Sequence, residues 1–415
     1  MNQTRPSRIL MVTPTVPYPP NWGFGIRVYQ FLRELSRSHK VSLVCYAQPG
    51  EEDKIAALEK ICHSVHTVPA PIHGSVDKRK AQFYSLFSSH SFQTGSLRTA
   101  AMQKLLTQLL GAEPFDIVQI ESSQLGSYNF GPGPVFIVDE HNLEYELLQR
   151  MYQTERSPLR KIYNFMEYRK FHNEERACWQ RADACILTSA REQIILNEQF
   201  PNKPAQVAPN GVDIEYFKPS TSPVDVNSLV FTGLISYRPN TDAALFFVKE
   251  VLPYIVQVHP KIVFSIVGMG APEEITRLAG PNVVVTGEVP DVRPYIQAAS
   301  VFVVPLRMGS GTRLKVLEGL AMGKPMVSTR LGCEGINVRN GEHLLTEDEP
   351  QAFAQAVLHL LEDRAMALRF GAAGRELVER QYSWASIVQS MEGFHLQLLE
   401  AKRQHQTTTA YDGYA

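Results

Sequence analysis

The chain has 415 residues, 44% of them hydrophobic and 20% charged, with a formal net charge of -1. That length exceeds one compact core and predicts two domains, the composition is that of a folded globular protein, and the charge balance gives no general reason to expect nucleic acid. Five cysteines, odd in number, widely spaced and without a C-x-x-C pair, argue against a disulfide framework or a zinc site and fit a reducing compartment, and no window reaches the apolar length of a membrane span.

From the N-terminus, residues 8–13 (RILMVT) read as a buried strand, 26–36 as a helix and 41–46 as a second strand. The apolar run at 9–12 is too short for a signal sequence and is followed at once by Pro14 and Pro17. Strand, loop, helix, strand is the opening of a doubly wound α/β domain, in which ligands collect at the carboxyl ends of the strands. The loop PTVPYPPNWGFG holds Gly23 and Gly25, which would admit a phosphate or sugar beside a helix N-terminus. A dinucleotide fingerprint is not completed: its third glycine falls at Val28, and no acidic residue closes the second strand, so NAD is not expected.

Between residues 69 and 114 the pattern weakens. Here Lys78, Arg79, Lys80 and Arg98 are mixed with Phe83, Tyr84, Phe87 and Phe92; the reading is a solvated helix with its aromatics in the core, and the alternative is an interfacial surface or an acceptor groove. Strands resume at 116–121 and 135–139, the second ending in Asp139, Glu140, His141 and Asn142. A histidine among carboxylates and an amide at the carboxyl edge of a parallel sheet is a candidate for work on a bound substrate. A helix over 157–181, a strand over 184–188, Ser189 as a cap and a helix over 190–200 follow.

The Pro- and Gly-marked segment APNGVD at 208–213 marks a domain boundary, with one Rossmann-like domain expected over 1–206 and another over 207–380. The second repeats the architecture: strand 228–232, helix 242–252, strand 262–267, the turn GMGAP, helix 273–278, strand 283–286 and a helix around 294–299. Then VFVVPLRMGSGTRLKVLEGLAMGKPMVST gives a strand at 301–306, a helix at 313–322 and a strand at 325–328. In the turn, Gly309, Ser310, Gly311 and Thr312 let the backbone come close to a ligand, with Thr312 expected as N-cap. The free amides of the first helical turn, with Arg313 and Lys315, form a phosphate site. Glu318 faces away from Leu314, Leu317 and Ala321, where a carboxylate accepts two hydroxyl hydrogens at once, as a ribose requires; the alternative is a surface pair with Lys315. Helices are expected over 350–362 and 364–380, with 381–402 a C-terminal helix crossing back to the first domain and 403–415 a disordered tail.

The stretches APNGVDIEYFKP, GLISYRPNTDAALFFVKEVLP, GEVPDVRPYIQAASVFVVPL and LKVLEGLAMGKPMVST resemble, in this order, the family 4 retaining glycosyltransferases, the group 1 sugar transferases of the GT-B superfamily. The similarity is strongest over 207–329, and the first domain matches in pattern and at DEHN. The resemblance implies two Rossmann-like domains facing each other across a cleft. It implies transfer of a sugar from a nucleotide diphosphate donor to a hydroxyl of a glycan or lipid-linked acceptor, with retention at the anomeric carbon and without metal or other cofactor. It further implies that Glu318 holds the ribose, that His141 lies near the transferred sugar, that the loop at Gly23 and Gly25 approaches donor phosphate and acceptor, and that 287–290 meets the nucleobase.

Two departures stand out. The family's E-x7-E motif places a glutamate where this chain has Ser310, so backbone amides of 309–312 are left part of that role. The family's basic pair near the start of the second domain is also not matched: Leu234 follows Gly233, and Pro239 stands where a lysine is expected. Arg238, Arg313 and Lys315 are the cations left for the diphosphate. No D-x-D occurs, which agrees with metal-independent stabilisation of the leaving group, and the lack of G-K-[ST] excludes a P-loop NTPase. The rivals are a nucleotide-sugar epimerase using Asp139, Glu140 and Glu121, and a nucleotide-binding protein with lapsed transferase activity, prompted by Ser310. A cytoplasmic location is expected, with peripheral contact on the membrane face through 78–92 as an accompaniment to a lipid-linked acceptor.

Overall fold

The computed structural model describes residues 5–71, 75–220, 224–309 and 312–412. The chain divides into two units, the first of Met1–Pro209 with Val388–Ala415 and the second of Asn210–Ile387. The last helix, Trp384–Asp412, contributes to the first unit from Val388 onward. It runs through the segment expected to be a disordered tail, because adding turns to a formed helix costs little and the tail holds no proline.

The first unit is built on seven parallel strands: β1 (Arg8–Thr13), β2 (Lys40–Ala47), β3 (Ser64–Pro69), β4 (Ile117–Ile120), β5 (Val135–Glu140), β6 (Ala184–Leu187) and β7 (Ala205–Val207). Their order is β3-β2-β1-β4-β5-β6-β7, so the winding reverses between β1 and β4, with Ile9 opposite both Val41 and Ile117. Helices cover both faces, which is why Ile9, Leu10, Met11 and Val12 form an unbroken apolar run rather than an alternating one.

The second unit repeats this plan with β8 (Asp225–Thr232), β9 (Val263–Val267), β10 (Val283–Gly287), β11 (Ala299–Val304), β12 (Met326–Ser328) and β13 (Leu345–Thr346). The order is β10-β9-β8-β11-β12-β13, all parallel, with the reversal between β8 and β11. In each unit the crevice at the strand carboxyl ends beside that reversal is where a ligand binds in such sheets.

Three local features differ from the sequence expectations. The first helix is Gly23–Leu35, so Gly23 and Gly25 form its opening turn rather than a preceding loop. The helix expected over 242–252 is instead Arg238–Phe246, a π-helical stretch Phe247–Val251, and Leu252–Val258. Pro253 has no N–H to donate, and a wide turn beside it absorbs the missing bond without ending the helix. Phe83, Tyr84 and Phe87 are exposed, at 59%, 69% and 79%, instead of lying in the core.

Candidate active site

In the first unit, β4 leads into Glu121 and β5 into Asp139, Glu140 and His141, which gathers ionisable groups beside the reversal of strand order. Alternation along β5 sends Asp139 and Glu140 to opposite faces of the sheet. Asp139 receives two bonds from Arg27, Nε to Oδ2 at 2.9 Å and Nη2 to Oδ1 at 2.7 Å, with both side chains out of contact with solvent. The same guanidinium donates through Nη1 to the carbonyl of Ala208 at 2.8 Å and lies over the Phe31 ring. Burial would raise the Asp139 pKa, but the charges of Arg27 and His141 outweigh it and hold the carboxyl below the usual range.

His141 Nε2 lies 3.1 Å from Glu121 Oε2 and 3.4 Å from Asp139 Oδ2, and its ring stacks on Phe24 with centroids 4.6 Å apart. Burial disfavours an imidazolium here, yet Asp139 and Glu121 reverse that and raise the pKa above its ordinary value. Burial and the nearby Asp139 charge push Glu121 up to about 7. With Nε2–H committed to the carboxylates, Nδ1 is the nitrogen left for a substrate. His141, Glu121 and Phe24 line a pocket of about 90 Å³ together with Asn142 and Glu144.

Ligand atoms of Glu121, Asp139 and His141 lie within 4.8 Å of one another, close enough for one cation to bridge them. Both Asp139 oxygens are already bonded to Arg27, however, so the guanidinium supplies the countercharge a metal would bring. On the other face, Glu140 accepts from Trp179 Nε1 at 2.7 Å and burial pushes it up to about 8. It anchors Trp179 in the core and also borders the pocket that holds His141.

In the second unit the site forms where β8 and β11 diverge. Lys315, in the helix Leu314–Ala321, donates from Nζ to Asn240 Oδ1 at 2.7 Å and lies 4.1 Å above the Phe231 ring. A side chain at Gly233, whose φ is +152°, would put its Cβ 2.8 Å from that ammonium, and a Cβ on Gly268 would meet the Gly233 carbonyl oxygen at 1.8 Å. The two glycines therefore let the ends of β8 and β9 close up while leaving room for a cation.

Burial pushes Lys315 down to about 7, opposed in part by Glu318, and pushes Glu318 up to about 7, opposed by Lys315. Glu318 forms no salt bridge among the described residues, which removes the surface-pair reading. Arg313 is almost wholly buried, which lowers its pKa. Gly309 has φ +130°, and its Cβ position lies 3.5 Å from Arg313 Nη2 and 3.8 Å from Pro239 Cβ, so the glycine turn abuts the start of Arg238–Phe246. A larger pocket, about 650 Å³, opens past the ends of β11 to β13, with Arg307, Arg330 and Glu334 in its lining.

The expected donor residues are therefore not equivalent. Lys315, Glu318, Arg313 and Gly309 share one end of the second sheet, while Arg238 is exposed at the first residue of its helix. Thr312 is not the N-cap; that position is Arg313, without a side-chain cap bond, and the Thr312 carbonyl accepts from the Leu314 amide. Ser310 and Gly311 lie outside the described residues. A Cβ on Gly25 would strike the Trp22 indole at 2.8 Å, which accounts for that glycine by packing, whereas Gly23 has open space above it. Arg27 and Asn240 went unread in the sequence. Arg27 could have been found as a charge one turn before Phe31 on the apolar stripe of its helix, and Asn240 had no comparable signal.

Two families match the chain: the one described as Glycosyltransferase Family 4 over residues 23–216, and Glycosyl transferases group 1 over 226–363. A Klebsiella pneumoniae protein described as an uncharacterized 44.6 kDa protein in the cps region is 22% identical over 85% of this chain and 90% of its own length. The Escherichia coli UDP-Gal:alpha-D-GlcNAc-diphosphoundecaprenol alpha-1,3-galactosyltransferase is 24% identical over 63% of this chain and 70% of its own. Among solved structures, Anabaena HepE in complex with UDP and glucose superposes with a TM-score of 0.60 at 14% identity, covering 93% of this chain and 98% of that one. The shared fold is the two-domain α/β architecture called GT-B.

Proposed function

We propose, from the premise that the chain belongs to the group 1 glycosyltransferases of the GT-B fold, that it moves a sugar from a nucleoside diphosphate donor to a hydroxyl of a glycan or lipid-linked acceptor with retention at the anomeric carbon. The observation that carries the donor assignment is Lys315, a cation held half-buried on Asn240 and Phe231 with its charge disfavoured, one turn from Glu318. A diphosphate restores the charge of Lys315, and ribose hydroxyls restore that of Glu318. HepE, solved with UDP and glucose, and the galactosyltransferase acting on a diphosphoundecaprenol-linked sugar support this choice of donor and acceptor classes.

In this reading the barrier is charge separation between an oxocarbenium-like sugar and the departing diphosphate. Lys315 and Arg313 stabilise the diphosphate, so no metal or further cofactor enters. Gly309, Thr312 and Arg238 belong to the donor surroundings. His141 presents Nδ1 to a hydroxyl of the transferred sugar, oriented by Glu121 and Asp139. The leaving phosphate takes the acceptor proton. Epimerase chemistry fits less well, because Asp139 is spent on Arg27 and Glu140 on Trp179. The compartment in this reading is the cytoplasm.

The test is a thermal-shift screen against UDP, GDP, ADP, their sugar conjugates and NAD, since a ligand specific for the folded state raises the midpoint. Stabilisation by one nucleoside diphosphate and its conjugate is expected. Stabilisation by NAD alone, or by none at saturation, would overturn the reading.

A further inference from the structure

The first unit carries an apolar and basic face that its own fold leaves uncovered. In the helix Ser75–Ser85 and the turn after it, Phe83, Tyr84 and Phe87 stand in solvent and touch one another, Phe83 lying 5.5 Å from Phe87 between ring centroids. In the helix Pro158–Arg181, Leu159, Ile162 and Phe165 recur every three residues along one side, exposed by 82%, 60% and 42%. Ser85 ties the two segments together. Its hydroxyl bonds Glu167 at 3.0 Å and meets the Tyr163 hydroxyl at 3.4 Å, and its carbonyl accepts from Lys170.

Phe165 is partly covered by the Tyr152 ring, with centroids 5.1 Å apart, but folding gains nothing from leaving the other five large apolar side chains in water, and isolated exposed residues would not share one region in this way. The exposed charge on these stretches is basic, the nearby carboxylates being half-buried at Asp77 and Glu155 and buried at Glu167, which Ser85 and the Phe92 amide hold. Arg79, Lys80, Arg156, Arg160 and Lys161 are exposed, while residues 79–87 and 156–165 contain no aspartate or glutamate, in a chain whose formal net charge is -1. Lys78 adds a sixth cation in sequence, its side chain lying outside those described.

We infer that this face docks on an anionic lipid bilayer, its aromatic and aliphatic side chains entering the headgroup boundary and its cations pairing with lipid phosphates. Aromatic rings beside lysine and arginine are the chemistry of an interfacial surface, where apolar burial and attraction to acidic lipids act together. A second copy of this chain fits poorly, because pairing like faces would set five cations against five. No helix among the described residues is long and apolar enough to cross a membrane, so attachment here is to the surface. The inference does not rest on the donor reading, since none of these residues belongs to either candidate site.

The experiment is co-sedimentation of the full chain with vesicles of phosphatidylcholine alone and with about one-third phosphatidylglycerol, at low and high salt. The expected result is binding to the acidic vesicles only, weakened by salt. Two double variants, Phe83→Ser with Phe87→Ser and Arg160→Glu with Lys161→Glu, are each expected to lower partitioning by about tenfold or more. Neither should change the thermal midpoint or the shift produced by a nucleoside diphosphate, which separates this test from the donor assignment. Wild-type partitioning that ignores lipid charge, or variants that bind as wild type does, would overturn the inference. A wild-type dimer that Phe83→Ser with Phe87→Ser converts to monomer would also overturn it, by placing a second copy on this face.

Discussion

The two candidate sites occupy matching places, each at the strand ends beside the reversal of a parallel sheet, yet they handle charge in opposite ways. In the first unit each ion has a partner from the same unit: Arg27 with Asp139, and His141 with Glu121 and Asp139. In the second, Lys315 has a neutral amide and a ring, Glu318 has no salt bridge among the described residues, and burial pushes both toward their uncharged forms. A closed network of ions fixes a geometry before anything binds. Charges held away from their partners instead wait for a ligand to supply them, and in the proposed function this difference gives orientation of the reacting sugar to the first unit and capture of the nucleotide to the second.

The sharpest way to break the comparison is Arg27→Met. It leaves the buried Asp139 with His141 as its remaining cationic partner and is expected to destabilise the first unit by about 3 kcal/mol, while Arg27→Met with Asp139→Leu costs much less. Hydrogen exchange of first-unit amides checks this, and equal losses for the single and double variants would show that the pair is not a closed network. His141→Ala is expected to lower transfer by about a hundredfold or more, near 3 kcal/mol, with nucleotide affinity untouched. Steady-state rates beside calorimetry separate those effects; a matching fall in affinity would move His141 into the nucleotide site.

Glu318→Ala should weaken nucleotide binding by about 1.5–3 kcal/mol, through lost charge-assisted hydrogen bonds. It should leave the unliganded second unit as stable or more so, since a group that burial penalises is gone. Lost stability without lost affinity would make Glu318 structural.

The smallest expected effect is a pH dependence. Glu140 has its folded pKa raised to about 8, so the stability it contributes is fully present below its unfolded value near 4.5 and is lost as pH rises through about 8. Asp139 has a lowered pKa and acts oppositely, but only in acid. Between pH 6 and pH 8 the first unit should therefore lose stability, with Glu140 contributing about 1.4 kcal/mol per pH unit at most and the buried carboxyls Glu121 and Glu175 acting in the same direction, so that Glu140→Gln should lessen the slope.

Much of this was legible in the sequence. Central strands buried on both faces are continuous apolar runs, so β1, β5 and β11 could be read directly, as could the glycine turn before Lys315 and Glu318. Three edge strands were not, β3, β7 and β13, whose largely half-buried side chains carry no clear period, whereas the edge strand β10 was read. The helix start at Gly23 was hidden because glycine has low helix propensity wherever it falls. The aromatic residues at 83–87 were assigned to a core because composition cannot say whether a partner face exists. The bond from Arg27 to Asp139 joins residues 112 positions apart, and only the misplaced charge on an apolar stripe hinted at it.

The most direct test of the central claim is calorimetry of nucleoside diphosphate binding at pH 8, in buffers of different ionisation enthalpy, for wild type and Lys315→Met. At that pH a lysine with a pKa of about 7 is mostly neutral, and an arriving diphosphate raises its pKa. The account predicts proton uptake on binding by the wild type, with uptake lost and affinity reduced in the variant. Binding without uptake, and equally tight in Lys315→Met, would contradict it.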